Sequence, residues 1–129
     1  MAARTGAQYL DGLRSTTREI WLGGERVDKV ADHPNLAAGA DAIAAYYDLA
    51  HAHPDELLMP DPETGEASNV THLQPRSVAD LQRRHRALVR ISELSMGVMG
   101  RTPDYLNVTF AGFADDHVRW RGPDGRNAE

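Results

Sequence analysis

The chain has 129 residues, with 14 Lys+Arg against 19 Asp+Glu, a formal charge of -5 and no cysteine. That length predicts one domain, with a core large enough to need neither disulfides nor a structural metal. The lack of cysteine excludes thiolate zinc sites, iron–sulfur ligation and thiol nucleophiles, and the acidic balance argues against a nucleic-acid binder.

Thr5 to Leu13 predicts a short amphipathic helix, capped by Thr5, with Tyr9, Leu10 and Leu13 at helical spacings and Gly12 weakening its end. Two β-prone runs flank Gly23-Gly24 between Glu19 and Val27, the chemistry of a tight hairpin. His33-Pro34 is expected to open a longer helix with Leu36, Ala40, Ile43, Tyr47 and Ala50 on one face, closed by Pro54. Leu57 to Leu73 predicts a second, irregular hairpin around Asp61-Pro62-Glu63-Thr64-Gly65-Glu66. Ser77-Val78-Ala79-Asp80 fits a capping box and launches the longest helix. Its expected apolar stripe is Leu81, His85, Leu88, Ser92, Ser95 and Met99, widened by Ile91, Leu94 and Val98, with an end near Gly97 to Gly100. Thr102-Pro103-Asp104 marks another helix start, followed by a stripe of Leu106, Phe110, Phe113, His117 and Trp120. The fold class is therefore mainly α with two short β-hairpins.

Charge is unevenly spread: residues 76–101 carry a net +4 and the remainder -9. Thirteen of the fourteen basic residues are Arg, which a GC-rich genome explains as readily as a need for bidentate contacts. No stretch reaches the roughly 18 apolar residues of a membrane span and the N-terminus has no apolar h-region, so a soluble, unexported, cytoplasmic protein is expected.

Most short motifs have a bland reading. His33, His51, His53 and His72 show no metal-ligand spacing, and His51 and His53 suit a helix C-terminus, so no metal site is assigned. Gly97-Val98-Met99-Gly100 matches a four-character nucleic-acid loop without its strands, and lacks the spacing and Lys of a phosphate loop. Ser92 and Ser95 sit in no nucleophile elbow. His85, His117, Phe110, Phe113 and Trp120 read as core. Arg101 and Tyr105 differ, because both fall at one helix N-terminus, where unpaired N–H groups and positive potential favour anionic oxygen. A guanidinium and a phenol there form a grip on a phenolate, carboxylate or phosphate. The competing reading packs Arg101 on Asp104 and buries Tyr105.

Met99-Gly100-Arg101-Thr102-Pro103-Asp104-Tyr105-Leu106-Asn107-Val108 resembles the signature of the 4-hydroxyphenylacetate 3-hydroxylase family, the oxygenase components of two-component flavin monooxygenases. Further blocks agree in order: Arg4-Thr5-Gly6 with Tyr9-Leu10, Trp21-Leu22 before Gly24-Glu25-Arg26-Val27, His33-Pro34, Tyr47-Asp48-Leu49, Pro75-Arg76-Ser77 with Asp80-Leu81, and Ala111-Gly112-Phe113-Ala114. The resemblance implies an acyl-CoA-dehydrogenase-like fold, of which residues 1–129 form the N-terminal helical domain. A β-barrel domain and a C-terminal helical bundle, which builds a homotetramer, would lie beyond. It implies an enzyme that receives reduced FAD from a separate flavin reductase, forms a flavin C4a-hydroperoxide with O2 and hydroxylates a phenolic small molecule ortho to its hydroxyl.

By the same resemblance Arg101 sits near the hydroperoxide and the substrate oxygen, and Tyr105 hydrogen-bonds the phenol. The family's catalytic histidine and most FAD contacts are expected beyond Glu129, so the fragment alone is expected to be inactive. A dehydratase branch places cluster-binding cysteines in the preceding helix; their absence favours the hydroxylase branch. The alternative from another class is a non-enzymatic helical module that binds an acidic partner through the Arg-rich helix 76–101.

Overall fold

The computed structural model describes residues 3–97, 103–115 and 119. It divides the chain into two compact units, Met1–Ala67 and Ser68–Glu129, a finer division than the single domain that length predicts. Among the described residues the architecture is mainly helical, with two small two-stranded sheets.

In the first unit, α1 (Gly6–Ser15) starts from a reciprocal cap. The Thr5 hydroxyl accepts from the Gln8 N–H at 3.2 Å, and the Gln8 side-chain carbonyl accepts from the Thr5 N–H at 2.8 Å. The helix runs two residues beyond the expected Leu13, because Gly12 leaves its carbonyl to the Thr16 N–H instead of breaking the turn. β1 (Ile20–Leu22) and β2 (Glu25–Val27) pair antiparallel, with Ile20 opposite Val27 and Leu22 opposite Glu25. Gly23 and Gly24 join them at φ +59° and +87°, the left-handed pair that a two-residue hairpin turn requires.

α2 (Ala37–Ala52) begins later than the His33-Pro34 signal implies. The His33 carbonyl accepts from the N–H groups of both Leu36 and Ala37, so residues 33–36 make a turn and the helix proper starts after it. Its buried positions are Ala40, Ala44, Tyr46 and Ala50; Tyr46 is inside and Tyr47 is half-buried. Pro54 ends this helix as expected and is also the first residue of a one-turn helix, α3 (Pro54–Leu57), which buries Leu57.

α1 and α2 touch where glycine leaves no side chain. The Gly6 N–H donates to Asp48 Oδ1 at 2.7 Å, and a Cβ on Gly6 would lie 2.5 Å from the Ala44 carbonyl oxygen. Tyr9 stacks on Tyr47 at 5.3 Å between ring centroids, and the Arg4 guanidinium lies 5.6 Å from the Tyr47 ring. Burial, then the neighbouring Tyr47, holds the Tyr9 phenol above its ordinary pKa.

β3 (Leu58–Pro60) and β4 (Ala67–Asn69) form the second sheet, and Asp61 Oδ1 organises their connection by accepting from the N–H groups of Glu63 and Thr64. The expected strand at Val70–Leu73 is instead a 3-10 turn, Val70–His72. Asn69 explains the difference: its side-chain carbonyl accepts from the Thr71 N–H at 2.9 Å, a local bond that competes with strand pairing.

In the second unit, α4 (Val78–Leu94) follows Ser77, whose hydroxyl accepts from the Asp80 N–H and donates to Asp80 Oδ2. α4 stops at Leu94, before the expected Gly97 to Gly100. Met96 and Gly97 take positive φ, +49° and +73°, and the Gly97 N–H caps the Ser92 carbonyl. Its buried positions are Ala87 and Ile91, the latter from the expected stripe, whereas Leu81, His85 and Ser92 are exposed and Ser95 is half-buried. The inward face is thus rotated from the stripe drawn on the largest apolar side chains, and His85 is not a core histidine.

α5 (Pro103–Asp115) starts at Pro103, as expected. Here too the stripe inverts: Leu106, Phe110 and Phe113 are exposed, while Ala111 is buried and Asn107 half-buried. Val98, Met99, Gly100, Arg101, Thr102, His117 and Trp120 lie outside the described residues.

Candidate active site

α5 is fixed by polar contacts rather than by its aromatic side chains. Thr71 is fully buried in the 3-10 turn, and its hydroxyl donates to Asn69 Oδ1 at 2.8 Å while accepting from Asn107 Nδ2 at 3.0 Å. At the far end of the helix Arg76 and Asp115 form an ion pair, and Arg76 also donates to Gln74 Oε1 at 3.1 Å. Neither link was legible in the sequence, because isolated polar residues 36 and 39 positions apart carry no periodicity.

These anchors present Tyr105 outward from the first turn of α5, 59% exposed. The reading in which Tyr105 fills the core is thereby overturned. The Thr109 hydroxyl donates to the Tyr105 carbonyl at 3.0 Å, which ties this turn to the next. Leu106, Phe110 and Phe113 continue an exposed apolar face, with the two phenyl rings 6.4 Å apart and edge to face. Arg101, the other candidate, lies outside the described residues, so only its place four positions before Tyr105 is known.

The remaining candidates do not converge. His51 Nε2 lies 3.2 Å from the Arg4 carbonyl, and His33 Nδ1 accepts from the Asn35 N–H. Among the described residues no group of three His, Asp or Glu is placed to hold a metal ion, and no helix is long and apolar enough to cross a membrane. The Arg-rich helix is not a free basic face: Arg76 is paired with Asp115, and Arg90 donates to Glu93 at 3.0 Å. The acidic-partner reading is not favoured.

The mainly helical architecture with two small sheets is that of the N-terminal helical part of an acyl-CoA-dehydrogenase-like fold. Residues 5–128 match the family described as 4-hydroxyphenylacetate 3-hydroxylase N terminal, and the chain belongs to that family. The 4-hydroxyphenylacetate 3-monooxygenase oxygenase component of Geobacillus sp. (strain PA-9) is 35% identical over 118 residues, covering 90% of this chain and 24% of the relative. The FADH(2)-dependent monooxygenase TftD of Burkholderia cepacia is 36% identical over 133 residues, covering 96% of this chain and 25% of that protein. In three dimensions the chain is similar to the oxygenase component HpaB, solved in complex with FAD and 4-hydroxyphenylacetate. The TM-score is 0.86 at 31% identity, over 98% of this chain and 26% of that one. The chain thus spans about a quarter of the length of these relatives.

Proposed function

We propose that this chain is the N-terminal helical domain of an oxygenase component that hydroxylates a phenol ortho to its hydroxyl, using reduced FAD delivered by a separate flavin reductase, and O2. The observation that carries the reading is the outward Tyr105 on an anchored helix, inside the segment that the family shares. The relatives named above supply the reaction class: one is FADH(2)-dependent, and another was solved with FAD and a phenol.

The described residues fit one wall of such a site, on the substrate side. Most FAD contacts are assigned to the parts of the relatives that this chain does not cover. Bound FAD supplies the oxygen chemistry. Tyr105 hydrogen-bonds the phenolic oxygen and orients the ring. Arg101, four positions before it in the chain, is assigned the role of placing positive charge near that oxygen, which favours the phenolate and makes the ring more electron-rich. The exposed Leu106, Phe110 and Phe113 exclude water once the rest of the protein covers them. The whole enzyme is read as a cytoplasmic homotetramer, with the β-barrel and C-terminal bundle following this domain.

The experiment is a coupling measurement on the whole oxygenase, product formed per reduced FAD consumed, with 4-hydroxyphenylacetate. Formation of the catechol, lost in Arg101→Ala with release of hydrogen peroxide, supports the reading. Full coupling in Arg101→Ala and in Tyr105→Phe removes both residues from the site.

A further inference from the structure

We infer that Thr71 and Asn107 are positioning residues for Tyr105, acting through the directed hydrogen-bond chain Asn107–Thr71–Asn69; this rests on the function proposed above. The direction is set by atom count. A hydroxyl has one proton, and Thr71 gives it to Asn69 Oδ1 at 2.8 Å, an oxygen already fixed by the Thr71 N–H at 2.9 Å. The lone pairs of Thr71 then face Asn107 Nδ2 at 3.0 Å, and only a donor satisfies them. Because Thr71 is fully buried, no solvent path replaces that donor without rearrangement.

Helix geometry carries this bond to Tyr105. Residues two apart differ by about 200° around the axis, so Asn107 pointing inward turns Tyr105 outward. At the outer radius of a helix, roughly 5–6 Å, a rotation of about 10° moves a side-chain tip by about 1 Å. Displacement of that size costs an oriented reaction up to about a hundredfold. The Arg76–Asp115 pair holds the opposite end of the helix and leaves the first turns to Asn107.

The test uses Thr71→Val and Asn107→Ala in the whole oxygenase, with Tyr105→Phe as reference. Product per reduced FAD is expected to fall about three- to tenfold in each of the first two, and Thr71→Ser, which keeps the hydroxyl, recovers most of the loss. In a Tyr105→Phe background Thr71→Val is expected to add nothing, since its effect runs through that phenol. A flavin-free readout accompanies these: 4-nitrophenol, whose phenolate absorbs in the visible, shows a rise in its ionised fraction on binding to wild type, and the rise shrinks in Thr71→Val. Asn107→Ala is half-buried and keeps the comparison open should Thr71→Val fold poorly. Undiminished coupling in both variants while Tyr105→Phe uncouples, or a fully additive double mutant, overturns the inference alone. Wild-type coupling in Tyr105→Phe overturns the site reading and this inference with it.

Discussion

Residues 3–67 and residues 68–115 solve the same packing problem in opposite ways. In the first unit aromatic and aliphatic groups turn inward: Val27, Tyr46 and Leu57 are buried, and Tyr47 packs against both Tyr9 and Tyr46. Trp21 and Leu22 on the hairpin are the exposed exceptions. In the second unit the buried set is small, Ser68, Val70, Thr71, Ala87, Ile91 and Ala111 among the described residues, while Leu81, Leu94, Leu106, Phe110 and Phe113 face out. The difference teaches that the unit carrying the candidate site is held in register by specific polar bonds, with its apolar surface left for other contacts.

The comparison breaks most severely at Gly6. Gly6→Ala drives a Cβ against the Ala44 carbonyl and the Asp48 carboxylate, and is expected to cost about 3 kcal/mol in chemical denaturation. A cost below about 0.5 kcal/mol would show that the first unit is not tightly set by this approach.

Next in size is Arg101→Ala in the whole oxygenase, expected to lower coupled hydroxylation about a hundredfold, with Tyr105→Phe about tenfold, read as catechol against peroxide. Ser77→Ala removes the hydroxyl that caps α4 and should lower stability by about 1 kcal/mol, measured as a shift in Tm.

The same cap is sensitive to acid. The Arg76 N–H, then the Ser77 hydroxyl, hold the Asp80 carboxyl below the ordinary 3.8. The unfolded chain therefore binds a proton there before the folded one does. The contribution is present above pH 3.8 and is lost as pH falls through the lower folded value. Asp80→Asn should flatten that part of an acid titration followed by helical circular dichroism. The smallest effect belongs to Phe110→Ser: on an outward face it changes the melting of the 129-residue chain by less than about 0.5 kcal/mol. A large loss would mean that the aromatic face is packed within this chain after all.

Local chemistry was legible in advance. Thr5 caps α1, Ser77 caps α4 as Asp80 three residues on implies, Gly23-Gly24 turns the hairpin, Pro54 closes α2 and Pro103 stands at a helix start. Each of these depends on atoms a few residues apart. The inward faces of α4 and α5 were legible only at Ile91, because periodicity assigns the largest apolar side chains to the interior, and here Ala87 and Ala111 are buried while Phe110 and Phe113 face outward. At the candidate site, Tyr105 was singled out by its position near a helix start together with the family resemblance. Its support through Asn107 and Thr71 was hidden, since a single long-range polar bond leaves no pattern in the chain.

The left-handed stop after α4 has a chemical consequence. Met96 sits at φ +49° with 88% of its surface open, so its thioether meets solvent oxidants with almost no shielding, in contrast to the half-buried Met59. An oxygenase that loses peroxide would write that loss into its own chain. Peptide mass spectrometry after turnover should find the sulfoxide at Met96 ahead of Met59, and its accumulation would serve as an internal record of wasted reducing equivalents.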